Sequence, residues 1–184
     1  MIKTIKFAGF LLFIGILQFI LLMKTSEFIY PNYSVAKNFI SDLGSLKANT
    51  FIIFNSSVIL LGILAALSGY ILYINIRKVF SIILIIAGIG GIGVGVFPEE
   101  MGILHSLFSL IAFLFGSIAA IIGCTATKSY LRFLSPILGL LSLISLVLFI
   151  LRIDLGLGIG GIERMIVYPF LIWGLAFSGY LMKE

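Results

Sequence analysis

The sequence predicts an all-α fold, a polytopic integral membrane bundle of six transmembrane helices, with a short amphipathic helix in the first outer loop. Three observations predict it. The mean hydropathy is +1.29, with 61% hydrophobic and only 10% charged residues, whereas soluble domains are about half apolar. Apolar runs recur along the whole chain, and about 18 or more such residues suffice to cross a bilayer. Most connectors are short, which makes neighbouring helices antiparallel. A length of 184 residues fits one six-helix domain over 1–184.

The first apolar segment covers about 7–23. Lys3 and Lys6 before it resemble a leader, but the stretch is too long for a signal core. It also contains Gln18, and no small-residue cleavage pattern follows, so it reads as a span. A long connector, 24–50, holds the polar strip YSVAKNFISDLGS from Tyr33 to Ser45. Phe39, Ile40 and Leu43 fall at helical spacing there, which predicts a short amphipathic helix on the bundle mouth, Asp42 inward and Lys37 wet. The second span is 51–74, with Asn55 near its start.

The third span, 79–97, stops before Pro98, because proline pushes its predecessor away from helical angles. Gly88, Gly90 and Gly93 match a dinucleotide-binding pattern, but that pattern has meaning only between a strand and a helix. Close helix packing, as with Gly91 and Gly95, explains these glycines better. Glu99 and Glu100 precede the fourth span, 103–124, where acids suit the positive end of a helix dipole. His105, the sole histidine, heads a stripe of Ser109, Ala112, Gly116, Ala119 and Gly123 that turns it toward the bundle interior. The lone Cys124 reads as a packed, inert thiol. The fifth span is 133–151. A glycine run, Gly156, Gly158 and Gly161, suggests a flexible re-entrant turn before the sixth span, 162–182, which Glu163 and Arg164 open.

Charge orients the bundle. Seven basic residues (Lys3, Lys6, Arg77, Lys78, Lys128, Arg132, Lys183) fall on one side and five (Lys24, Lys37, Lys47, Arg152, Arg164) on the other. The positive-inside rule then puts both termini in the cytoplasm of a multi-pass cell-membrane protein. Six acids, Glu27, Asp42, Glu99, Glu100, Asp154 and Glu163, belong to the opposite, outer side, and only Glu184 lies inside.

Three outer patches therefore hold the candidate chemistry: ISDLG with Asn55 beyond it, FPEEMGILHS, and LGIGGIERMIVYP. Asp42 beside His105 would leave the imidazole as a general base, with Ser41 or water as nucleophile. Asn38, Asn55, Glu100, Glu163 and Arg164 are the candidate binding residues. An intramembrane ion needs a partner, and the expected pairs are Arg164 with Asp42, and Glu163 with His105 or Lys37. One histidine disfavours haem, and no ligand spacing supports a metal, so no cofactor is expected. No basic cluster interleaved with aromatics suggests nucleic acid. The expected partners are membrane lipids and a lipid-like or amphiphilic ligand, and the oligomeric state is left open.

Taken together, YSVAKNFISDLG, GIGVGVFPEE with a following HS, and GIER with Trp173 in the sixth span resemble a six-helix prokaryotic family. That family is catalogued as a domain of unknown function, number 998. The resemblance covers nearly the whole chain and implies the six-span fold. It emphasises Ser41, Asp42, Leu43, Gly44, Asn55, Gly95, Phe97, Pro98, His105, Glu163, Arg164 and Trp173, and implies no reaction. Three functions remain open at this stage. They are binding or transport of a lipid-like molecule, a lipid hydrolase or transferase using Asp42 and His105, and a structural or assembly role.

Overall fold

The structure is a computed structural model that describes residues 2–75 and 78–183. Arg77 and Glu184, counted in the charge argument, lie outside the described residues. Six helices are long and apolar enough to cross a membrane, and no strand occurs among the described residues. They are α1 (Ile2–Ile29), α2 (Phe51–Asn75), α3 (Lys78–Val96), α4 (Ile103–Ile122), α5 (Leu131–Ile150) and α6 (Ile159–Lys183). The chain is a multi-pass membrane protein.

Two boundaries differ from expectation in ways that matter. α1 runs on through Lys24 and Glu27 to Ile29, because those two charges sit at i,i+3 and pair across 2.7 Å. α6 starts at Ile159, so Glu163 and Arg164 lie inside its second turn. The amphipathic helix expected in the first connector does not form. Turns at 35–37 lead instead to a four-residue 3-10 helix, Ser41–Gly44. The cause is local. Asn38 accepts from Ser34 N–H at 3.0 Å, and Asp42 accepts from Phe39 N–H at 3.1 Å. Such side-chain bonds compete with helical ones for the backbone.

Sequence neighbours pack side by side, and α1 closes against α6. Small residues set the spacing, as lipid-embedded helices require. A Cβ on Gly88 would stand 2.6 Å from the Gly62 carbonyl, and one on Gly95 2.7 Å from the Asn55 carbonyl. Buried hydroxyls tie α4, α5 and α6 together. Ser117 bonds Ser142 at 2.8 Å, Ser142 donates to the Ile166 carbonyl, and Trp173 Nε1 donates to Ser135 Oγ at 3.0 Å. Trp173 stacks on Phe177 and Phe80 meets both edge-on near the terminal end, with ring centroids 5.1–6.1 Å apart. Both described chain ends meet there, with Lys6 Nζ donating to the Lys183 carbonyl. The first connector, the α3–α4 turn and the α5–α6 loop form the other, polar end.

Candidate functional site at the polar end

Arg164 organises the polar end. From inside α6 its Nη1 donates to the carbonyls of Val35 (3.1 Å), Asn38 (3.2 Å) and Gly160 (2.8 Å). Its Nη2 donates to Glu27 Oε1 and to Tyr33 Oη, both at 2.7 Å. The expected Arg164–Asp42 pair is thus replaced by Arg164–Glu27. The longer α1 is the reason, since it carries Glu27 up beside α6. Tyr33 in turn donates to the Phe39 carbonyl at 2.7 Å, and burial pushes its phenol above the ordinary range against the pull of Arg164. Gly160 N–H donates to the Ala36 carbonyl at 3.1 Å. Any Cβ on Gly158, whose φ is +76°, would strike that same carbonyl at 2.2 Å. The glycine run is therefore a fitted clasp over the first connector rather than a free re-entrant turn.

The clasped connector lays Ile40 and Ser41 over the bundle axis. Glu163 accepts from the Ile40 N–H, not from His105 or Lys37, and Lys37 stays exposed. Asn38 Nδ2 donates to Asp42 Oδ2 at 2.8 Å. Glu99, in the 3-10 turn Glu99–Met101, reaches Asp42 and Ser41. Burial first, and then the carboxyls of Asp42 and Glu100, push Glu99 up to about 7, with Ser41 opposing. Glu100 is different in kind. It is exposed and accepts from Ser45 Oγ (2.6 Å) and Leu46 N–H (2.9 Å), which hold it below the ordinary carboxylate range. Asn55 donates to the Gly44 carbonyl at 2.9 Å and fixes the connector's far end.

His105 takes its orientation from the backbone, not from Asp42. Its Nδ1 lies 2.8 Å from the Phe97 carbonyl. A carbonyl only accepts, so Nδ1 carries a proton, and in the neutral imidazole Nε2 is the acceptor. Beneath these groups runs a cavity of about 130 Å³. Ser41, His105, Ser109 and Glu163 line its upper part. Phe54, Val58, Phe113 and Phe170 line its length, and Leu84, Ala119 and Trp173 lie deepest. None of its lining residues comes from α5. From His105 to Ala119, α4 rises about 20 Å. The small-residue stripe thus does two jobs: Ala112 and Gly116 meet Gly90 and Phe170, and with Ser109 and Ala119 they also leave the hollow.

With this geometry in view, residues 13–179 match the family described as "Protein of unknown function (DUF998)". The chain belongs to that family. No curated protein and no solved structure matches it. The matched stretch contains all the DUF998 member's candidate residues from Asn38 to Arg164. They divide into two groups. Ser41, His105 and Glu163 line the cavity, with Asp42 next to Ser41 at its rim. Asn38, Asn55, Glu100 and Arg164 instead build the connector above it. Glu27, Tyr33 and Glu99 were missing from the candidates. The signal for Glu27 and Tyr33 was Arg164 itself, whose several donors need more than one buried acceptor. Among the described residues of the DUF998 member, no group of three His, Cys, Asp or Glu has metal-holding geometry.

Proposed function

We propose that this protein binds a single-chain, lipid-like amphiphile, its aliphatic tail in the interior cavity and its polar head at Ser41, His105 and Glu163. The observation that carries this reading is the distribution of polarity: the walls are apolar for most of their length, and the polar groups gather at one end. Binding sites for small amphiphiles have this character, with few polar groups that fix orientation. The lining residues of α4 span about 20 Å, longer than one leaflet of a hydrocarbon core about 30 Å thick. The polar end faces outward, with both termini cytoplasmic, on the strength of the basic-residue count.

The sole tryptophan supplies the test, because Trp173 lines the deep part of the cavity and is only 3% exposed. A single-chain amphiphile brominated near its tail end should quench Trp173 emission saturably in the purified protein. Ser109→Phe, which fills the tube from α4, should abolish the quenching while the protein stays folded. Quenching that rises without saturation, or survives Ser109→Phe, would remove the cavity from the function.

A hydrolase or transferase reading draws on one specific feature. Ser41 and the free Nε2 of His105 share the same cavity mouth, as an acyl transfer would need. Turnover of a single-chain ester lost in both Ser41→Ala and His105→Ala would support it, and unchanged turnover would exclude these residues.

A further inference from the structure

Every ionisable side chain that touches the cavity mouth or its rim, other than His105, is an acid. Glu163 lines the cavity, with Asp42 and Glu99 near enough for their charges to act on it. Among the described residues, no lysine or arginine lines the cavity. The nearby cations are committed elsewhere. Arg164 follows Glu163 by one residue and so points about 100° away around the helix, into Glu27, Tyr33 and three carbonyls. It acts on Glu163 only as a neighbouring charge. Lys24 is held by Glu27 and Tyr168, and Lys37 is exposed.

Glu163 is itself 5% exposed, and a single backbone donor, Ile40 N–H, serves its carboxyl. Its second oxygen has no hydrogen-bond partner among the described residues. An under-partnered buried carboxylate is costly, and removing that cost takes a donor or a cation. Two acceptors therefore wait at the top of an apolar tube, the free oxygen of Glu163 and, in the neutral imidazole, Nε2 of His105, and Ser41 lines the same cavity. We infer that the head of the bound amphiphile is a primary ammonium, so that the ligand class is a long-chain amine rather than a fatty acid or an acidic lipid. Its N–H donors would meet acceptors that the protein leaves open, and its charge would stand beside a carboxylate to which no cation is hydrogen-bonded among the described residues. A carboxylate, sulfate or phosphate head would instead add a negative charge to three acids already crowded together.

This inference rests on the chain-binding reading above, and one experiment separates their failures. Three amphiphiles with the same brominated chain, bearing an ammonium, a hydroxyl or a sulfate head, are titrated against Trp173 emission at neutral pH. The expected result is half-quenching by the amine at a concentration at least tenfold lower than by the sulfate, with the alcohol between. Glu163→Gln should bring the amine level with the alcohol and leave alcohol quenching intact. Asp42→Asn, at the rim, should narrow the amine–sulfate gap, and it serves as the second variant if Glu163→Gln does not fold. Quenching by none of the three overturns the chain-binding reading itself. Equal quenching by all three, or a preference for sulfate, overturns the ammonium assignment alone.

Discussion

Arg164 is buried at 3% exposure and donates to the connector carbonyls of Val35 and Asn38 and, within α6, to that of Gly160. Removing it leaves Glu27 with Lys24 as its remaining cationic partner and strips the Val35 and Asn38 carbonyls of a donor, each such loss costing about 1–3 kcal/mol. Arg164→Ala should lower the thermal midpoint sharply in detergent. Arg164→Lys should recover little, because one ammonium cannot span the separate acceptors of a guanidinium fork. Glu99 gives a pH signature. It sits at about 7 in the folded protein against an ordinary 4.5, so the folded state holds a proton that the unfolded chain releases. Its stabilising contribution is full below the unfolded value and is lost as pH rises through about 7. Glu99→Gln should flatten the fall in thermal midpoint between about pH 5 and pH 8, and parallel profiles for the two proteins would assign the proton elsewhere. At this scale the sequence was only half legible. An arginine at membrane depth announces that it needs a partner, but six acids shared its side of the bundle. The choice of Glu27 over Asp42 depended on how far α1 continues past its last apolar residue.

The helices were legible because hydropathy is averaged over a whole span, which makes it insensitive to any one residue. Their ends were not, since Lys24 and Glu27 stop an apolar run without stopping a helix. Nor was the missing amphipathic helix, whose apolar spacing was present but was outweighed by the Asn38 and Asp42 side-chain bonds. The glycines inside the third span, unlike the run before the sixth, were read correctly as contact points between helices, and their individual weights can be measured. A Cβ on Gly95 meets Ile59 at 2.6 Å and the Asn55 carbonyl at 2.7 Å, whereas one on Gly179 meets nothing within 4 Å. Gly95→Ala must push α2 and α3 apart and should cost about 1–3 kcal/mol, as overpacking does. Gly179→Ala should leave the thermal midpoint unchanged or slightly raised. Equal effects at the two sites would show that backbone propensity, not the α2–α3 contact, governs them.

For the molecule as a whole, the cavity was the least legible feature. The residues that hollow it out, among them Gly88, Gly91, Ala112 and Gly116, are the same types that let helices touch, so pattern alone cannot say which they do. The direction of the mouth is open to a direct check. In a Cys124→Ser background, Lys37→Cys should react with a membrane-impermeant maleimide in intact cells, and Lys128→Cys only after permeabilisation. The reverse pattern would turn the site toward the cytoplasm. The clasp between α6 and the first connector also bears on how the chain reaches its native state. Carbonyls of Val35, Ala36 and Asn38 are met by Gly160 and Arg164, more than a hundred residues downstream. During synthesis those groups emerge early and stay without their native donors until the sixth helix is in place. Contacts so far apart in sequence are slow to close. The polar end is thus the last part of the protein to acquire its shape, and a chain interrupted before α6 would keep its helices but have no finished mouth.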